Sequence, residues 1–241
     1  MSDLLRNEKT EDDNIIEAIS NHIDSSTKQL KKLMYSYLEN PETASKANKL
    51  SYWLEDYYGL LSFEDSFNPS YLKKYNRGDI IKVNLGYNIG NEEGGLHYCV
   101  VVDKANSKSS GIITVIPLTS HKGKKLHFSS VPLGDEIYKN FKMKYEHLLL
   151  ELSNKINSIN VNDTTSEEIK IALDDLNFIK KMDLEMSKMK KGSVALVSQI
   201  TTISKQKIYD PQKTGDILSG LRISDESLDL INNKLKQLFI K

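Results

Sequence analysis

The chain has little of what would place it in several large functional classes. Cys99 is its only cysteine, which excludes an internal disulfide framework and any zinc site built from several thiolates. No apolar run approaches the eighteen or so residues needed to cross a bilayer, so no membrane partner is expected. The opening stretch MSDLLRNEKTEDDN has neither a basic n-region nor an apolar core; no secretion signal is read, and a cytoplasmic location is the expectation. Internal repeats and low-complexity tracts are also missing. Even net charge is absent, because 33 Lys and Arg balance 33 Asp and Glu.

What is present is ordinary globular composition with an uneven layout. With 241 residues, 39% hydrophobic and 27% charged, the chain can bury one core with helical additions, or two small domains. Residues 1–70 hold seven Lys/Arg against thirteen Asp/Glu, net −6, whereas residues 71–128 hold nine against four, net +5. A basic central segment beside an acidic one suits an anionic ligand for the first and a covering role for the second, unless the signs merely fluctuate along solvated faces.

Periodicity divides the chain more sharply. Ile15, Ile16, Ile19 and Ile23, then Leu30, Leu33, Met34 and Leu38, recur at helical spacing and read as a hairpin broken at Ser25-Ser26-Thr27. Asn40-Pro41 stops that segment, Glu42–Tyr58 reads as a further aromatic helix ending at Gly59, and 63–70 reads as a linker. From Tyr75 the period becomes that of strands: Asp79–Leu85, a glycine-rich loop over Gly86–Gly95 taken as flexible, Tyr98–Val102, Ile112–Leu118 and Leu126–Leu133. Helical spacing then returns from Ile137, turns at Asn160–Asp163, and restarts at the capping box Thr165-Ser166-Glu167-Glu168. Strand patterns resume at Ser193–Ser198 and over 200–208, and Ser224 caps a last amphipathic helix. The polar residues able to do chemistry concentrate between Arg77 and Ser120.

The order RGDIIKVNL, a loop ending in Gly94-Gly95, the strand LHYCVVV, a strand closing in Pro117-Leu118-Thr119-Ser120, and then GSVALVSQITTI with a C-terminal helix resembles the MazF/PemK family of toxin-antitoxin ribonucleases. The resemblance covers roughly residues 75–133 and 192–240. It implies an α+β fold, a small SH3-like β-barrel with an N-terminal helical extension (1–70), an inserted helical hairpin at about 135–190 within the domain 71–241, and a C-terminal helix. It also implies a homodimer, an antitoxin partner, and metal-independent, cofactor-free cleavage of single-stranded RNA. Cleavage in that family proceeds by 2′-OH attack and leaves a 2′,3′-cyclic phosphate and a 5′-OH. An arginine-proline pair usually follows the glycine loop; here His97-Tyr98 stands there, while Thr119 matches the family threonine.

Such chemistry needs a proton acceptor, a proton donor and groups that hold the phosphoryl oxygens. A histidine, with an ordinary pKa of about 6.5, can move protons near neutrality where arginine does so poorly. His97, Thr119 and Ser120 are therefore the catalytic candidates, and Arg77, His121, Lys122 and Lys124 the candidates for substrate binding. Each has a plainer use: His97 as a structural histidine, Thr119 and Ser120 as turn residues, Arg77 at a strand start, the lysines in a solvated loop. A second reading is a non-catalytic module on the same fold that inhibits a protein target or binds RNA without cutting. Residues 1–70 suit either an inhibitor carried in cis or an enlarged dimer or partner surface.

Overall fold

A computed structural model describes residues 11–121, 123, 125–158, 165–189 and 192–240. The chain divides into two compact units, Met1–Gly59 and Leu60–Lys241, the division falling within one helix.

The first unit is made of α1 (Glu11–Leu38) and most of α2 (Pro41–Phe63). The break expected at Ser25-Ser26-Thr27 does not form, and α1 runs on for 28 residues. Its hydroxyls explain this: Ser26 Oγ donates to the Ile23 carbonyl at 3.0 Å and Thr27 Oγ1 to the same oxygen at 2.7 Å, bonds that fold back onto the preceding turn and leave the helix intact. Pro41 sits where a helix start tolerates proline, and Asn40 Oδ1 accepts from the Glu42 amide at 2.9 Å. Glycine at 59 does not end α2, which continues four residues further.

The second unit holds β1 (Ile80–Asn84), β2 (Leu96–Val101), β3 (Ile112–Ser120), β4 (Ser130–Gly134), α3 (Glu136–Ser158), α4 (Ser166–Lys188), β5 (Ser193–Leu196), β6 (Thr201–Ser204), β7 (Ile208–Asp210) and α5 (Asp225–Phe239). The strands pair antiparallel in the order β4-β5-β3-β2-β1-β7, with β6 also on β3. This is the expected mixed fold, with its helical extension, inserted hairpin and C-terminal helix; among the described residues no pairing joins β4 to β7, so the ladder stays open. The Thr165 capping box forms as read, the hydroxyl accepting from the Glu168 amide while Glu168 accepts from that of Thr165. Ser224 likewise accepts from the Ser227 amide. The Asn160–Asp163 turn lies outside the described residues.

Successive side chains of a strand point to opposite faces, and here both faces are covered. Val100, Ile116 and Leu118 join Phe141 of α3, Met182 of α4 and Ile231 of α5 in the larger core. Ile81, Val83, Cys99, Val101 and Val115 pack with Leu72, Tyr75 and Ile208 on the other side. That two-sided burial is why Tyr98–Val102 reads as one apolar run rather than an alternation.

Two features of the connections position the site. Gly134 at the end of β4 pairs with Ser193 at the start of β5, and Asp135 Oδ1 accepts from the Gly192 amide at 2.8 Å. The inserted hairpin α3–α4 thus stands where a short β-turn would suffice. Along β3, Leu118 faces Ala195 and Val115 faces Thr201; three steps on one strand oppose six on the other, and the surplus Val197–Gln199 leaves the ladder as a tight turn.

Phe141 is fully buried between the inserted hairpin and the sheet. Phe141→Ala is expected to cost about 3–5 kcal/mol by the cavity it leaves, read as a lower urea midpoint at unchanged slope.

Candidate functional site

Strand register brings the central candidates together. His97 lies opposite Val83 on β1, and the β2–β3 ladder, with Cys99 opposite Pro117, carries the start of β2 alongside the end of β3. His97, Thr119 and Ser120 accordingly line one cavity of about 320 Å³, together with Tyr98, Tyr138, Lys188 and Ser193.

The imidazole is oriented at both nitrogens. Its Nδ1 lies 3.2 Å from the Leu118 carbonyl, which can only accept, so Nδ1 carries the hydrogen. The lone pair of the neutral ring then sits on Nε2. Nε2 is 3.4 Å from Glu93 Oε2.

Glu93 is itself placed by its loop. Gln199, at the end of the turn that leaves the β3 ladder, accepts from the Glu93 amide at 2.7 Å and donates to the Asn91 carbonyl at 3.1 Å. The loop base closes where Gly95 donates to the Gly86 carbonyl at 2.7 Å. A Cβ on Gly94 would lie 2.7 Å from that carbonyl oxygen, so the first glycine of the pair is required by close backbone approach. The Gly86–Gly95 loop, read from its glycines as flexible, is tied down at several points.

Residues 76–174 match the family model described as PemK-like, MazF-like toxin of type II toxin-antitoxin system. That stretch is similar to the PemK/MazF toxin family. Members of that family are generally endoribonucleases, and each works against an antitoxin. Among solved structures, MazF (Form-I) from Deinococcus radiodurans is similar at 13% sequence identity, over 69% of this chain and 96% of that one, with a TM-score of 0.38. No curated protein matches the chain. No described helix is long and apolar enough to cross a membrane.

The hairpin α3–α4 reaches the cavity through Tyr138 of α3 and through Lys188 and Met189 at the end of α4. A buried polar cluster fixes it there. Glu185, 8% exposed, accepts from Lys82 of β1 and from the Tyr98 hydroxyl, both at 2.5 Å. Burial alone would raise the Glu185 carboxyl, but donation by Lys82 and Tyr98, with the charges of Lys82 and Lys188, holds it below the ordinary carboxylate range. Burial, and then the bond to Glu185, push the Tyr98 phenol above its ordinary value. Tyr98 therefore serves as an anchor, with its hydroxyl committed to donation. Lys188 stands 3.8 Å from the other Glu185 oxygen and is 65% exposed at its side chain, which leaves a cation at the cavity wall.

The remaining candidates fall elsewhere. Arg77 donates to the Val102 carbonyl and to Asn232 Oδ1 of α5, at the far end of the β1–β2 ladder from His97, and so ties the strand to the C-terminal helix. The His121 amide donates to the Gly192 carbonyl at 2.6 Å while its exposed side chain lies outside the cavity wall. Lys122 and Lys124 lie outside the described residues. Cys99 is buried, and burial with the nearby Glu93 charge pushes its thiol up to about 12, which leaves it protonated and inert. Sequence reasoning missed Glu93, Tyr138 and Lys188. A carboxylate four residues before a histidine in a glycine loop was a usable hint for the first; nothing local marked the other two.

Glu185→Ala removes the partner of a largely buried Lys82 and is expected to cost about 3–5 kcal/mol. Because the folded carboxyl titrates below its unfolded value of about 4.3, its contribution is present above that pH and is lost as pH falls through the folded value. Urea denaturation of native protein and Glu185→Gln should therefore give a stability gap at pH 7 that narrows below pH ~4.

Proposed function

We propose that the protein is a metal-independent, sequence-selective endoribonuclease toxin that cleaves single-stranded RNA at the cavity holding His97, Thr119 and Ser120. The observation that carries this reading is the convergence, in one cavity, of an oriented imidazole, two strand-end hydroxyls and the Lys188 cation. In the reaction, His97 Nε2 takes the proton of the substrate 2′-OH, and the 2′-oxygen attacks the adjacent phosphorus. The bond from phosphorus to the 5′-oxygen breaks, and that oxygen receives the proton His97 removed and leaves as a 5′-OH, with a 2′,3′-cyclic phosphate on the other fragment. His97 serves as general acid or base, and Glu93 stabilises its imidazolium.

Charge on the phosphoryl oxygens rises during attack. The Thr119 and Ser120 hydroxyls donate to them, and Lys188 supplies the permanent positive charge that an arginine at position 97 would have brought. The chain acts as a homodimer in the cytoplasm and is held in check by an antitoxin. Single strands are the substrate because their base edges and 2′-OH groups are accessible.

The test is end chemistry on RNA incubated with purified protein in EDTA. Native protein should release 2′,3′-cyclic phosphate and 5′-OH ends, with His97→Ala reducing the rate by about 10²–10⁴ and Lys188→Ala by about 10²–10³. Undiminished cleavage by a folded His97→Ala would overturn the assignment, and binding of RNA without cleavage by the native chain would favour the non-catalytic module. Gln199→Ala, which frees the loop bearing Glu93, should lower kcat while leaving KM near its native value; equal loss in both would assign Gln199 to RNA binding.

A further inference from the structure

The first unit carries two apolar features that its own two helices leave uncovered. On α1, Ile15, Ile16, Ile19 and Ile23 recur at helical spacing and are 54–65% exposed. Further along, a groove of about 610 Å³ opens between α1 and α2, its apolar wall formed by Leu30, Met34, Tyr35 and Leu38 of the first helix and Ala47 and Leu54 of the second. Ala47 is the one hydrophobic residue fully buried among the described residues of this unit. A helix owes most of its stability to packing of its apolar stripe, so a hairpin in this condition is incomplete by itself.

The charges on α1 indicate what completes it. From residue 12 to residue 27 the helix carries Asp12, Asp13, Glu17 and Asp24 and no Lys or Arg. Lys28, Lys31 and Lys32 then follow, with no acid until Glu39, and Lys31 lies on the groove itself. The exposed isoleucines are thus flanked by negative charge, and the apolar groove by positive charge. Such a surface is complementary to itself when two copies run antiparallel. A two-fold axis satisfies both contacts at once, each copy offering its isoleucine segment to the other's groove.

We propose that α1 and α2 form an association surface for a second copy of this chain, the Ile15–Ile23 segment of each copy seated in the groove of the other to make an antiparallel four-helix arrangement. RNA does not fit this surface, because the acidic half of α1 would repel phosphate. The surface lies on the first unit and is independent of the nuclease reading.

Sedimentation of the full-length chain tests it. Native protein should show an association step that Ile16→Glu/Ile19→Glu loses, with helix content by circular dichroism unchanged. Asp12→Lys/Asp13→Lys/Glu17→Lys should lose the same step, as should Lys28→Glu/Lys31→Glu/Lys32→Glu, because each places like charges on the segment and on the groove that receives it. An equimolar mixture of those two variants should recover the step, since each segment then meets a groove of opposite sign. Native and Ile16→Glu/Ile19→Glu chains that sediment alike would overturn the proposal. So would charge variants that associate like native protein, which is the behaviour of a parallel pairing, or a mixture that fails to recover.

Discussion

A carboxylate taken out of water must be matched, and the matching of Glu185 by Lys82 and Tyr98 fixes the functional end of this fold. Glu185 belongs to an inserted helix, and its two partners belong to adjacent strands of the sheet. Leaving either charge unpaired in a largely buried position would cost more than the pair gains, so the helix has one seat on the sheet rather than a range of them. The apolar packing of Phe141 and Met182 supplies the adhesion, which does not discriminate direction, and the polar cluster supplies the register. Lys188 follows from that register, since one further turn of the same helix carries it to the cavity.

The insertion therefore forms part of the cavity wall. Its ends meet where β4 pairs with β5, so the strands lose nothing by admitting more than fifty residues between them. In return the cavity gains a tyrosine, a methionine and a lysine that the strands do not supply. The histidine on β2 and the lysine at the end of α4 line the same cavity, one from the sheet and one from the hairpin. On the opposite side of the cavity, the three residues that leave the β3 ladder place Gln199 against the glycine loop, and the loop in turn aims Glu93 at His97.

The first unit obeys the same rule of unmatched groups with the sign reversed. There the unmatched surface is apolar rather than charged, and an acidic half and a basic half of one helix surround it. Continuity of α1 through Ser25-Ser26-Thr27 matters for this, because it keeps the isoleucines and the groove on one rigid rod. A break at that point, as turn-forming residues led one to expect, would have separated them.

Much of this was legible along the chain. The change of period after Tyr75, the β-branched runs, the capping box at Thr165, the Ser224 cap and the glycine pair at 94–95 are local signals, and local sterics and hydrogen bonding determine them without reference to distant residues. His97, Thr119 and Ser120 were picked out by the resemblance to a family's motif order, and strand register brings them to one cavity. What tertiary structure decided was which side chains face one another. Arg77, attractive for its charge, is spent on Val102 and Asn232. Lys188, which had no local mark, was brought beside His97 by a helix whose placement depends on a buried carboxylate far from both in the sequence. Periodicity and capping energies act over a few residues and are written in order; desolvation and charge pairing act across the fold, and only the folded chain sets their partners.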